Sequence, residues 1–513
     1  MRKSLFGITT AALVAALPAA AYAIPYASAL SDNGSDYTFV LNHAADLVEV
    51  SLDGGPFASL GGLTAGSHTF ALGGATAYNV RVTHSEAEGW VQYSDDNKID
   101  NVMWAPTGVS VNKNPGSSSF GTVYVSNALD GTVDELLPTE RFMFTGIYSL
   151  QADSTTLTEA AFGGVDFSAN NAPFRTTVAP DDQLYISSWA DSSPGVWRAP
   201  ADLSGTWDQV LANDNLQPSG LTDNHGSIAD VYVEGTGAST VLYTIDEDYG
   251  NKGNINRYDI GTNATPYAAV PTVQVEDGGD AISSATGNIL NGRMSITRDE
   301  DGSWWVGQYR FDDGGADGEL SALLHFQDGA TAPDWRSGGA TTTHPTGPDL
   351  DEGYGAVDLD NGLDIVAVGT VGSNDLGIYI LDVSNPTDPQ LSPFQLATPH
   401  KADELTFDAA GNLYAVSRGY ERLQIFSPGG DSVVSTGSDG SFNRALTINF
   451  GVGGACGTLG LTGDLDCDDF VGITDLNIVL GLWNQNVTPG ELLSGDPSGD
   501  GFVGIEDLNT VLG

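Results

Sequence analysis

An irregular internal repeat constrains this chain more than any other feature. Six short β-forming segments begin at Val123, Leu184, Val241, Trp304, Ile365 and Leu413, with start-to-start spacings of 61, 57, 63, 61 and 48 residues. Each of these segments (VYVSN, LYISS, VLYTI, WWVGQ, IVAVG and LYAVS) is followed by a partner of similar character. The partners occupy residues 146–150, 195–199, 254–258, 322–326, 377–381 and 422–426. Most are also preceded by a strand-like run, such as 293–297 (RMSIT) or 404–407 (ELTF). Acidic and glycine-rich turns join them, as at 299–302 (DEDG) and 408–412 (DAAGN), where side-chain oxygens and positive-φ residues favour tight reversals.

A three- or four-stranded unit repeated at this period is the signature of a β-propeller. The sequence therefore predicts a mainly β chain with a six-bladed β-propeller over 103–450. A seventh blade near 159–166 stays open, as does completion of a blade by 444–450 pairing with the start of the domain. The order of strand, acidic turn, Leu-Tyr-Val-type strand and Gly-Ile-Tyr-type strand resembles the NHL and lactonase-like propellers. Loops leading into the innermost strands of such a fold converge on its central channel. Here those loops carry Asn171, His225, Arg293, Glu352 and His400 as candidate ligand-binding residues. His, Arg and carboxylate side chains around a channel could hold a sugar or perform acid–base chemistry. No G-x-S-x-G elbow and no H-E-x-x-H motif occurs, so no catalytic residue is assigned. Most acids in the Asp-Gly turns are read as backbone-stabilising.

The amino terminus reads as a secretory signal over 1–23. Arg2 and Lys3 precede an apolar stretch from Leu5 to Leu17, and Ala21-Tyr22-Ala23 forms a small-residue cleavage site, so the mature chain is expected to begin at Ile24. The apolar run is short for a bilayer span of about 20 residues, and no later stretch is long and apolar enough to serve. Residues 24–96 alternate between apolar and polar in four runs (37–41, 48–52, 68–72 and 78–82) separated by glycine pairs, the pattern of half-buried antiparallel strands. Runs 65–70 and 78–82 resemble the last strands of small Ig-like sandwich modules, so an Ig-like β-sandwich is expected over 24–96. His68 and His84 are read as strand-surface residues.

After a glycine-rich linker over 451–463, the chain carries two copies of one pattern, offset by 32 residues. DLDCDDFVGITD begins at Asp464 and DPSGDGFVGIED at Asp496. Acidic or hydroxyl oxygens at loop positions 1, 3, 5 and 12 suit calcium, a hard cation that takes six to eight oxygen ligands. Position 7 contributes a backbone carbonyl, and position 9 is glycine in both loops, leaving room for a water. The duplication, an Asp at position 12 and a helix after each loop resemble the type I dockerin family, over 464–513. That resemblance implies a small α-helical calcium module holding two ions. The implied ligands are Asp464, Asp466, Asp468, Phe470 and Asp475, then Asp496, Ser498, Asp500, Phe502 and Asp507. It also implies a cohesin-type partner. Departures from the family pattern are Asp469 at the usual glycine of loop one, a chain that stops at Gly513 within the second helix, and Ile473-Thr474 and Ile505-Glu506 at the positions that contact cohesins. Cys456 and Cys467 are equally compatible with a disulfide and with two free thiols.

Composition narrows the function. With 18 Lys and Arg against 67 Asp and Glu, the formal charge is −49. Nucleic acid and anionic lipid are excluded as partners, because binding them requires a basic surface. Three readings fit what remains. The first is an exported, modular calcium-binding protein whose propeller recognises a ligand such as a polysaccharide and whose tail attaches it to a cohesin-type partner or the cell surface. The second is an enzyme of polysaccharide breakdown, a glycoside hydrolase or lyase, delivered by that tail. The third is a structural cell-surface protein. The sequence favours the first.

Overall fold

The computed structural model describes residues 23–32, 34–86, 88–133, 140–167, 172–190, 195–212, 228–246, 254–267, 269, 271–276, 294–308, 322–330, 332–337, 350, 353–370, 377–392, 396, 401–447, 476, 478–480, 482–485, 502–504 and 508. Its secondary structure is almost entirely antiparallel strand.

Six sheets form a ring between Glu88 and Gly429. Their innermost strands are Pro106–Val111, Thr176–Val178, Ile228–Glu234, Met294–Arg298, Gly353–Asp360 and Glu404–Phe407. Each packs against the next, and the last packs against the first, which closes the ring. The second strands of the blades include Val123–Asn127, Leu184–Ser188, Trp304–Gln308 and Leu413–Ser417, with the bounds the sequence predicts. Every residue of these four strands is buried. A blade is covered on both faces by its neighbours, so its middle strands read as continuous apolar or small-residue runs without alternation. Clusters such as Tyr243, Ile255, Ile296, Trp304 and Val306 fill the space between adjacent blades.

Closure of the ring differs from both alternatives left open above. The outer strand of the sixth blade is Glu88–Gln92, drawn from the segment expected to be the amino-terminal sandwich. It pairs with the strand Arg422–Gly429, Phe426 opposite Gln92 and Ser427 opposite Val91. Residues 442–447 pair elsewhere. Within 159–166 the only described pairing is a single bridge from Ala161 to Ile147 of the first blade. Tying the first strand of the ring to the last blade joins distant parts of the chain, so the ring cannot open without breaking sheet hydrogen bonds.

The amino-terminal strands form a two-sheet module. One sheet holds Ala27–Asp32, Asp36–Leu41 and Gly66–Ala71. The other has the order Phe442–Thr447, Asp431–Gly437, Tyr78–His84, Ala45–Leu52 and Ala58–Leu63. Its last two strands in sequence thus come from the far end of the chain, with Val434 opposite Val82. Phe39, Leu41, Val48, Phe70, Val80 and Val82 share one core between the sheets. His84 is buried in this module and contacts Asp46, whereas a strand-surface position was expected for it.

This module packs on the ring over the hairpins of the first, fifth and sixth blades. Ile24, Tyr26, Val434 and Phe442 meet Phe120, Ala152 and Ala410. Arg444 donates to the Asp360 carboxylate through Nη1 and Nη2, and its Nη1 also donates to the Ala409 carbonyl at 3.3 Å. Gly121 sits where the two bodies touch. A side chain there would lie 2.7 Å from the Ser28 Cβ, and its φ of +80° is itself a conformation that favours glycine.

Of the C-terminal region, helical backbone is described at Leu476 and at 478–480, within the helix expected after the first loop. Val479 and Val503 bury against each other, and Val503 exchanges backbone hydrogen bonds with Asn484 and Gln485. The linker, Cys456, Cys467 and the proposed calcium ligands other than Phe502 lie outside the described residues. The Phe502 ring is exposed.

Candidate functional site

The innermost strands line a central cavity of about 460 Å³ to which all six blades contribute. Side chains of a strand alternate between its two faces, and the innermost strand of each blade places several of them on the cavity wall. Polar residues on the wall recur at alternate positions: Asp230 and Tyr232; Ser295 and Thr297; Glu404 and Thr406; with Asp358 beside them.

Near the start of the strands, three blades bring together an ionic cluster. Arg175 precedes the second blade's inner strand and is 1% exposed; its guanidinium forms an ion pair with Glu404 of the sixth blade. Asp230 of the third blade is buried as well. Its carboxylate accepts the Ile296 N–H at 2.9 Å, the Val231 N–H at 2.7 Å and the Ser295 hydroxyl at 2.8 Å. The Ser295 oxygen also lies 3.3 Å from Glu404 Oε1. A serine hydroxyl has one hydrogen to donate. With Asp230 taking it, the contact with Glu404 is favourable only when a carboxyl supplies a second proton. Burial pushes the Asp230 carboxyl above its ordinary range, while the Arg175 charge pulls it down.

Further along the strands, Asp358 accepts the Phe407 N–H at 2.8 Å and the Thr297 hydroxyl at 3.2 Å, and Lys113 approaches it at 3.3 Å. Ser110 donates to Thr176 across neighbouring blades at 3.1 Å. The cavity wall thus alternates carboxylates with hydroxyls, and the cations on it are already engaged with carboxylates.

The five residues proposed from sequence, Asn171, His225, Arg293, Glu352 and His400, lie outside the described residues. Each stands only a few positions ahead of an inner strand. The cluster described here was missed: Arg175, Asp230, Asp358 and Glu404 were not singled out, although Glu404 lies in a strand the sequence predicted. The signal that could have found them is a charged residue recurring at alternate positions of a strand that precedes a fully apolar one. Among the described residues, no group of three or more His, Cys, Asp or Glu could hold a metal ion, and no helix is long and apolar enough to cross a membrane.

No protein-family model matches the sequence, and no curated protein is similar to it. Among solved structures, the chain is similar to the PQQ-bound aldose sugar dehydrogenase of Streptomyces coelicolor, at 14% identity and a TM-score of 0.40, over 67% of this chain and 99% of that one. It is also similar to the gluconolactonase XC5397 of Xanthomonas campestris, at 11% identity and a TM-score of 0.35, over 68% and 89%. A third likeness is to U3-55K, at 11% identity and a TM-score of 0.39, over 67% and 100%. Likenesses this distant assign no chemistry; the class defined by the sheets is a closed, six-bladed ring with a two-sheet module packed on it.

Proposed function

We propose that the protein is an exported binding protein whose channel takes a neutral, hydroxyl-rich ligand of carbohydrate type. The observation that carries this reading is the cavity wall, where carboxylates, two of them buried, and Ser and Thr hydroxyls from six blades line one cavity. Carboxylates accept hydrogen bonds from a polyol, and hydroxyls both donate and accept. A volume of about 460 Å³ lies within the range of small-ligand sites. A polyanion is disfavoured by the same carboxylates and by the net charge of −49.

The duplicated tail supplies attachment. Its donor set, carboxylate and hydroxyl oxygens at matched spacing in two loops, fits a hard cation, and two calcium ions are the proposed cofactors. Neutralising the clustered acids lets each loop close, and the helices then pack on the small apolar core around Val479 and Val503. A cohesin-type module or a cell-surface component is the proposed partner.

A glycan array probed with the mature protein in calcium, with released sugar measured in parallel, tests the proposal. Binding without release supports it, and Asp358→Asn then weakens binding. Release of sugar that Glu404→Gln abolishes replaces it with the enzyme reading. Neither binding nor release overturns the carbohydrate assignment. For the tail, chelator is expected to remove helical circular dichroism while the β signal of the ring persists.

A further inference from the structure

The first residue of the expected mature chain lies in an unusual place. Ile24 is 2% exposed, and so is its neighbour Ala23, at 1%. The Ile24 nitrogen donates to Asn412 Oδ1 at 2.8 Å, and Asn412 Nδ2 returns a bond to the Ile24 carbonyl at 3.0 Å. Asn42 donates to the same carbonyl at 3.1 Å and accepts the Tyr26 N–H at 2.8 Å. Two buried asparagines therefore hold the backbone of residues 24–26 as a neighbouring strand would.

Behind Asn412 stands a carboxylate. Asp408 Oδ2 accepts from Asn412 Nδ2 at 2.8 Å, and Oδ1 accepts the N–H groups of Ala410, Gly411 and Asn412 at 2.9 Å each. Asp408 is 2% exposed and forms no ion pair among the described residues. The groups facing it are the Tyr414 hydroxyl at 3.5 Å and the buried phenols of Tyr26 and Tyr93, whose ionisation its charge opposes. Arg444 is a cation described against the same turn. It reaches the Ala409 carbonyl, but its charge is spent on Asp360. A buried acid of this kind is costly unless a cation compensates it.

Cleavage after Ala23 would supply that cation. The Ile24 nitrogen would become a primary ammonium with three donors, at a point one asparagine away from the uncompensated acid. We propose that the α-ammonium left by the expected cut of the bond between Ala23 and Ile24, held by Asn412 with Asp408 as its counter-charge, locks the two-sheet module onto the sixth blade. The bond is inaccessible in the folded protein, so the cut precedes folding, as export through a membrane requires. The inference rests on export and not on the channel's ligand, so a negative glycan result leaves it standing.

The test compares the exported protein, its start determined by N-terminal mass spectrometry, with a cytoplasmically expressed chain carrying Met-Gly-Gly before Ile24. The exported form is expected to begin at Ile24. Its native α-amine should resist acetylation that labels it after unfolding. Its Tm should exceed that of the extended chain by about 2–4 °C near neutral pH. That gap should widen as pH rises through about 6, where Asp408 of the extended chain must ionise without a cation. It should begin to shrink above about pH 8, the ordinary value of an α-amine, and close as pH rises through the higher value that the Asp408 counter-charge gives the amine in the folded chain. Asp408→Asn should collapse the gap in both directions. A different start, a freely labelled native amine, or equal melting of the two forms at every pH would each overturn the proposal; if the Asn variant fails to fold, labelling and the pH profile still decide.

Discussion

Two sites in this molecule bury aspartate carboxylates and compensate them in opposite ways. In the channel, Asp230 and Glu404 share a serine hydroxyl and face the guanidinium of Arg175, which lies wholly inside the protein. At the junction of the two bodies, Asp408 has no such partner and is held by three backbone N–H groups and Asn412. The channel cluster is compensated by a charge belonging to the fold. The junction cluster is compensated by hydrogen bonds alone; under the proposal above, the amine of a chain cut before Ile24 would complete it. The difference teaches that burial by itself says little about an acid's role; the identity of its counter-charge decides whether it is a fixed strut or a group whose charge responds to its surroundings.

Removing the channel's cation should have the largest effect. Arg175→Met leaves two carboxylates facing one cavity, and breaking a buried pair from one side is expected to cost about 3–5 kcal/mol. Urea unfolding measures this, and adding Glu404→Gln should recover part of the loss. Full stability in the single variant would erase the contrast drawn above.

The junction should show itself through pH. Burial pushes the Asp408 carboxyl up to about 6, against the hydrogen bonds that pull it down. A raised carboxyl binds its proton more tightly in the folded chain. Its contribution is therefore fully present below pH 4 and is lost as pH rises through 6. In a chain extended before Ile24, that amounts to about 3 kcal/mol across the window. Asp408→Asn should flatten this part of the profile. A profile unchanged by the substitution would place the titration elsewhere.

The smallest effect sharpens the channel's side of the comparison. Ser295→Ala removes the hydroxyl between Asp230 and Glu404, and the loss of one buried hydrogen bond is expected to cost about 1 kcal/mol. If the two carboxyls already share a proton, the variant should lose stability more at pH 7 than at pH 4. Equal losses at both values would show that the serine is a simple donor to Asp230.

Much of the fold was legible because its signals are local. Strands such as Leu184–Ser188 and Trp304–Gln308 announce themselves by β-branched and aromatic residues between turns. The turn at Asp408–Asn412 was legible as well, since an Asp oxygen capping successive N–H groups and a glycine at φ +99° need only neighbours in sequence. The site was barely legible. Nothing near Glu404 indicates that Arg175 will meet it, and nothing near Asp408 indicates that Tyr26 and Ile24 will cover it.

The sequence by itself located six repeats, the middle strands of each and the tight turns between them, because periodicity and turn chemistry act over a few residues; that no seventh blade joins them among the described residues was decided by the pairing of the strands. Tertiary structure alone decided that Glu88–Gln92 closes the ring, that Asp431–Gly437 returns to the first module, and which of the many acids lie in the interior. Those choices depend on pairing between strands more than 300 residues apart, where shape, burial and charge compensation select among many strands of similar local pattern.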